Sequence, residues 1–412
     1  MTIALYPPYG SGPGNSLYIS YSGMQTDAFG RLRASEPYTL FDSQNRYEKD
    51  DQFDESTASG GSTTYLPNES TVRLDVTTAS GSEVIRQSFR RLHYQPGKSL
   101  LTLQTFVMNE PKSNLRQRLG YFDTQNGCFF QLNDSTKSFV LRSYTSGSVV
   151  ESTVNQSNWN GDKLDGTGLS GVTLDTSKAQ ILFFDFEWLG VGNVRCGFII
   201  NGQYIVCHTF MNSNAITSVY MTTAILPLRY ELTNTGATST SSSMKQICAT
   251  VISEGGYQRV VKESVARRTS VLSSISTTFV PLVSIRLASN SLGAVVLPYK
   301  INTLPTVSQD YEIVLTKNAS LTGASYNTTE FNHVDYDVSA TAMSGGLIVQ
   351  SNYDSASQLS VSPLSTSGYN FDLQLGASLA GVSDVYTLGV RTVAGATSGE
   401  AIGSISFYDL TD

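Results

Sequence analysis

Apolar positions along this chain recur every second residue or in short unbroken runs, and no window carries the i, i+3, i+4, i+7 spacing of an amphipathic helix. Runs of that kind, bounded by Gly, Asn, Asp and Ser clusters, predict β-strands. Ahead of residue 253 they fall at 71–77, 83–89, 100–107, 116–122, 128–132, 138–143, 181–189, 194–200, 203–209, 224–232 and 245–251. About eleven strands joined by polar loops predict two stacked antiparallel sheets, a jelly-roll sandwich. Phe183, Phe184, Phe186 and Trp188 are expected to fill the layer between the sheets, since each large aromatic removes about 150–250 Å² from water. Further runs at 279–287, 293–297, 311–315, 346–349, 370–375, 385–392 and 401–409 predict a second, smaller sandwich. The expected fold class is therefore all-β, with no repeat period long enough for a solenoid or propeller.

The segments between these runs divide the chain. Residues 1–50 carry Pro7-Pro8, Gly10 and Gly12-Pro13-Gly14 with few apolar runs, and read as an extended arm. Residues 51–70 are acidic and then rich in Ser, Gly and Thr, which predicts a surface linker opening the first sandwich, 51–253. Residues 254–275 read as a connector, with a short helical turn or a charged crossing near Glu263, Arg267 and Arg268, and residues 276–412 form the second sandwich.

Charged residues make up only 15% of the chain, against roughly 25% in ordinary soluble proteins, which suits a β-rich protein that buries surface against neighbours. A net charge of -7 argues against a nucleic-acid partner, whose affinity comes from lysine and arginine on phosphates. No apolar run of membrane-spanning length and no charged-then-apolar leader stand in the sequence, so neither membrane insertion nor a secretory route is expected. Four cysteines without CxxC spacing and three histidines in separate regions leave no zinc site, and no cofactor is expected. Asn201-Gly202 predicts a two-residue hairpin turn. Counting down its ladder sets Cys196 opposite Cys207, either as a disulfide or as two packed thiols.

Candidate chemistry is sparse. Asp185 and Glu187 would share one strand face beside Trp188, an arrangement compatible with polysaccharide cleavage by paired carboxylates and equally with an exposed polar face. The loop from Asn160 through Asp162 and Asp165 to Gly166 approaches a calcium loop but departs from its spacing and lacks the closing glutamate, so turn-capping by Asp is preferred and no metal is assigned. No GxxxxGK[ST], GxSxG or HExxH motif occurs. Asn68, Asn318 and Asn327 begin Asn-x-Ser/Thr sites that carry no meaning without secretion.

Several ordered strings resemble a known family. Asp27-Ala-Phe-Gly-Arg-Leu-Arg33, Glu36-Pro-Tyr-Thr-Leu-Phe-Asp-Ser43, Arg90-Arg-Leu-His-Tyr-Gln-Pro-Gly-Lys-Ser99, Arg118-Leu-Gly-Tyr-Phe-Asp123 with Asn126-Gly-Cys-Phe-Phe130, and Leu226-Pro-Leu-Arg-Tyr-Glu231 are similar, in kind and order, to virion structural proteins of tailed, cyanophage-type bacteriophages. The resemblance covers roughly the first 260 residues. It implies a non-enzymatic virion component on the particle exterior, in the tail, baseplate or capsid surface, a homo-oligomer with other virion proteins as partners. Arg31 and Arg33 alternate with Leu32, so an extended arm would turn both guanidiniums to one side. With Asp27, Phe29, Tyr38 and Phe41 they form the expected docking surface for a neighbouring chain. A concanavalin-like jelly roll also suggests an alternative: a receptor protein that binds host-surface glycan through exposed aromatics, with Tyr121, Trp159 and Tyr204 as candidates, or, failing that, a polysaccharide depolymerase.

Overall fold

The computed structural model describes residues 36–258, 262–329, 333–355, 360–364, 371–393, 395 and 398–411. The described residues form antiparallel strands and two short 3₁₀ turns, with no α-helix among them.

The first sandwich packs an eight-stranded sheet on a seven-stranded one. The eight-stranded sheet runs Gln203–Phe210, Val194–Ile200, Gln180–Phe186, Ser99–Val107, Ser242–Glu254, Thr71–Val76 and Ser62–Leu66, and Pro37–Gln44 also pairs with Ser242–Glu254. The seven-stranded sheet runs Val150–Asn155, Thr136–Ser143, Gly127–Asn133, Leu115–Phe122, Leu228–Asn234, Glu83–Ser88 and Phe53–Ala58. Alternation decides what each strand contributes. Leu182, Phe184 and Phe186 point inward with Phe198, Leu119, Tyr121, Phe130, Phe139 and Tyr230, all in one buried cluster. Full burial of each large apolar side chain favours the fold by about 1.5–3 kcal/mol. Phe183 falls on the opposite face, against the expectation that it joins this layer, and is covered there by the Tyr204 ring at 5.1 Å. Trp188 packs at the edge of the cluster, beyond the strand end.

The seven-stranded sheet also carries a small outer core. Phe122, Phe129 and Val140 are buried beneath Arg118, Arg142 and Arg229, whose guanidiniums lie 5.0–5.5 Å from the phenyl centroids. Glu231 bridges Arg116 and Arg229 at 3.0 and 3.2 Å. Between the sheets, the wholly buried Arg86 pairs with Glu55 and donates to Gln246 at 2.7 Å.

Three of the predicted boundaries are corrected. Pro37–Gln44 is no part of an arm: it continues the edge begun by Thr71–Val76 along the 13-residue strand Ser242–Glu254, from Gln44 opposite Cys248 to Pro37 opposite Glu254. The predicted linker contains two strands, Phe53–Ala58 and Ser62–Leu66, at the edges of the two sheets. They escape a hydrophobicity reading because an edge strand is built largely from Ser, Thr and charge. The connector is likewise strand. Lys262–Arg267 and Leu272–Ile275 both pair with Gly399–Asp409, with no helical turn.

The second sandwich has a five-stranded sheet, ordered Lys262–Arg267, Gly399–Asp409, Val296–Pro305, Ser360–Pro363 with Leu272–Ile275 alongside. It faces a six-stranded sheet ordered Asn327–Thr328, Val334–Asp337, Val280–Leu287, Val385–Thr392, Asp310–Lys317, Leu347–Ser355. Gly399–Asp409 lies inside the five-stranded sheet, between Lys262–Arg267 and Val296–Pro305. The run predicted at 370–375 is instead a 3₁₀ turn over Phe371–Leu373.

The two sandwiches share a core. Val295, Leu297, Phe371 and Leu410 of the second belong to the buried cluster of the first. The stretch leaving Glu83–Ser88 is the fastening: Phe89 O accepts from Ala377 N at 3.1 Å, Arg91 O from Gln374 Nε2 at 2.7 Å, and Arg90 binds Phe371 O.

Candidate functional site

A cavity of about 440 Å³ opens beside this seam, within the range of about 300–1,000 Å³ usual for small-ligand sites. Its first wall is the string Tyr94-Gln-Pro-Gly-Lys98. Pro96 and Gly97 occupy the two central positions of a turn closed by Lys98 N donating to Gln95 O at 3.2 Å, and Gly97 has φ +83°, which a residue with a side chain resists. The turn sets Tyr94 and Lys98 on either side of the bend.

The second wall is Trp188, just past the end of Gln180–Phe186. Tyr94 Oη accepts from Trp188 N at 2.9 Å and from Leu189 N at 3.3 Å, and the Tyr94 and Trp188 rings meet edge to face at 6.1 Å. Leu189 is held at φ +35°, a backbone conformation costly for a branched side chain. The Tyr94 hydroxyl thus fixes a strained turn that presents the indole.

Thr222, Thr223, Ala224 and Ile225 make the third wall. Tyr121 holds it from behind, its hydroxyl 2.9 Å from Leu92 O and 2.8 Å from Ala224 O while accepting from Leu226 N at 3.0 Å. Asn126 ties the far end, donating to Thr222 Oγ1 at 2.7 Å and accepting from Thr222 N at 3.0 Å. Gln258 and Thr411 complete the lining, and Gln95 and Gln258 exchange two bonds of 2.7 and 2.9 Å.

Electrostatically the cavity is short of acceptors. Lys98 Nζ and Trp188 Nε1 each show less than 1 Å² to water and bond to nothing among the described residues. Desolvation lowers the Lys98 pKa. His93, whose Nδ1 contacts Tyr257 Oη, is held neutral by burial, its pKa down to about 4. No aspartate or glutamate is among the described lining residues. A lining that joins the rings of Tyr94 and Trp188 to a lysine suits a ligand with an apolar face and oxygen acceptors.

The residues singled out in the sequence fall elsewhere. Asp27, Phe29, Arg31, Leu32 and Arg33 lie outside the described residues. Phe41 is corrected: it is 2% exposed, set edge to face on Phe53 at 5.8 Å and under the Arg90 guanidinium, within the chain's own core. Tyr38 is half-buried at the seam, 5.4 Å from Tyr257 and 6.3 Å from Phe371.

The proposed glycan platform is also corrected. Tyr121 is wholly buried, a brace for the cavity and not its surface. Trp159 is 2% exposed, stacked 4.7 Å from Phe139 with Nε1 donating to Val154 O at 3.1 Å. Tyr204 alone is exposed, at 54%, on the outer face of the eight-stranded sheet.

Asp185 and Glu187 share no strand face, because the strand ends at Phe186. Asp185 instead accepts from Ser99 Oγ at 2.6 Å and pairs with Arg195. In the loop that approached a calcium motif, Asp162 caps backbone, accepting from Leu164 N at 2.9 Å and Ser170 N at 2.7 Å. Among the described residues no cluster of three or more potential metal ligands occurs. Cys196 does not face Cys207. A bulge shifts the ladder so that Cys196 opposes His208, and the described cysteines are free thiols.

Sequence reasoning missed Tyr94, Lys98 and Trp188 as a group. The Pro-Gly turn was the one local signal, and nothing in sequence brings it to an indole some ninety residues away.

No family model matches the chain, and no curated protein matches it either. Solved structures similar to it include the metal-free carbohydrate recognition domain of Emp46p, at 11% identity and a TM-score of 0.32 over 52% of this chain and 95% of that one. Others are a legume lectin-like domain from Entamoeba histolytica, at 12% identity and a TM-score of 0.29 over 51% and 91%, and a glycoside hydrolase family protein from Mycobacterium thermorestibile, at 9% and 0.36 over 52% and 99%.

Proposed function

We propose that this protein binds carbohydrate, without cleaving it, in the cavity beside the seam between its two sandwiches. The observation that carries the reading is a cavity walled by the rings of Tyr94 and Trp188, with Lys98 in its lining and no partner for the Lys98 ammonium among the described residues. A saccharide supplies what this lining lacks: oxygen acceptors for the lysine, whose flexible stem carries its head group to them, and C–H faces for the rings. The non-catalytic part rests on Asp185 and Glu187, one tied up by Ser99 and Arg195 and the other beyond the strand.

The setting we propose is the exterior of a tailed-phage particle, where such binding would serve attachment to the host surface. It is supported by the ordered strings that resemble virion structural proteins, one of which, Arg90 to Ser99, builds the first cavity wall. Residues 1–35, with Arg31 and Arg33, remain the proposed contact with other virion proteins.

The test is a glycan array probed with the purified full chain beside Trp188→Ala. Binding that the variant loses supports the reading. An array that stays blank, or binding that survives in the variant, refutes it.

A further inference from the structure

We infer that the cavity selects saccharides bearing an anionic substituent, a carboxylate or a sulfate, and that Lys98 reads it. The inference rests on the carbohydrate-binding reading and narrows it. Of the described lining residues only Lys98 carries a full charge at neutral pH, since His93 is held neutral and the remainder are Tyr, Trp, Gln, Thr and aliphatic side chains.

The chain as a whole is acidic, at -7, yet among the described residues no counter-ion stands against this ammonium. Lys98 forms no ion pair among the described residues, whereas neighbouring cations are matched: Arg91 with Asp123, Arg195 with Asp185, Arg90 with Asp372. Glu187 is the nearest acid in sequence to the second wall. It is exposed and pairs with no cation among the described residues.

A buried ammonium without an acceptor is costly, and its flexible stem lets it swing to any acceptor that enters. A neutral sugar offers hydroxyl dipoles. These already take a charge-assisted bond from the ammonium, and an acidic sugar adds the attraction of an opposite charge. That added attraction is expected to favour the acidic ligand by about 10- to 100-fold in Kd. Desolvation depresses the Lys98 pKa, and a bound anion raises it again, so the preference weakens as pH rises and the ammonium loses its proton.

The test uses matched pairs on the full chain by calorimetry: sialyllactose against lactose, oligogalacturonate against its methyl ester, and a sulfated galacto-oligosaccharide against its unsulfated parent. The expected result is a 10- to 100-fold preference for the acidic member of at least one pair. The pair that responds tells carboxylate from sulfate. Lys98→Met should bring the acid-to-neutral ratio close to one, while Lys98→Arg, which retains the charge, should preserve it and serves as the folding control.

Equal affinity for both members of every pair, or a preference that survives in Lys98→Met, overturns the inference and leaves carbohydrate binding standing. Failure of all six ligands overturns both.

Discussion

Tyr121→Phe isolates the hydroxyl that braces the third cavity wall. That oxygen lies within 2.8–3.0 Å of Leu92 O, Ala224 O and Leu226 N, and the ring around it is wholly buried. Removing it strands the Leu226 N–H and takes a donor from one carbonyl, both in a buried setting. A stranded buried donor costs about 1–3 kcal/mol and a lost hydrogen bond about 1 more, so roughly 3 kcal/mol is expected. In a unit the size of the first sandwich each kcal/mol moves Tm by about 2–4 °C, which predicts a fall of about 6–12 °C in its melting transition. Differential scanning calorimetry of the full chain measures this, with Tyr38→Phe as a control whose ring is only half-buried. Saccharide affinity should drop as well, because Ala224 and Ile225 lose their anchor. A Tyr121→Phe protein that melts within 1 °C of the parent would show that the hydroxyl is no brace, and the account of the wall would fall with it.

Further outcomes follow from other features. Burial depresses the His93 pKa to about 4 against 6.5 when unfolded, so the folded state binds fewer protons; stability present above pH 6.5 should be lost as pH falls toward 4, by about 3 kcal/mol, and His93→Gln should flatten that slope in melts run across this range. Burial alone would raise the Glu231 pKa, but Arg229, Arg118 and Arg116 together lower it. Its contribution is therefore complete above the unfolded value of about 4.3 and lost below it, so Glu231→Gln should be the less stable protein at pH 7 and the gap should close as pH falls through the folded pKa. Asp185→Asn, which breaks a pair with a largely exposed Arg195, should change stability by no more than about 1 kcal/mol and leave saccharide affinity intact in the same titration. At Gly120 a methyl group would run into Cys128 O and the Phe129 backbone, so Gly120→Ala should cost about 3 kcal/mol or more, read as loss of folded protein on expression.

What could be read from sequence followed the strength of local signals. The hairpin of Val194–Ile200 and Gln203–Phe210 was legible because Asn201 and Gly202 both take positive φ, at +53° and +75°, which that dipeptide favours. The bulge at Cys196 was not, since an extra residue in one strand leaves no mark on composition. Central strands announced themselves through unbroken apolar runs such as Ile181 to Phe184. Edge strands such as Phe53–Ala58 did not, because they have one partner and little to bury. The cavity was hidden for another reason: its walls come from residues 93–98, 188, 222–225, 258 and 411, and only the closure of both sandwiches brings them together.

Ser242–Glu254 has a consequence for how the molecule comes into being. On one side it holds Ser99–Val107, and on the other Thr71–Val76 and then Pro37–Gln44. A nascent chain emerging from the ribosome must therefore carry three earlier strands with bare hydrogen-bonding edges until this late one arrives, more than two hundred residues after the first. Such long-range closure makes folding slow and leaves the growing polypeptide prone to self-association. Overproduction should accordingly benefit from low temperature and abundant chaperones far more than from any change to the finished surface.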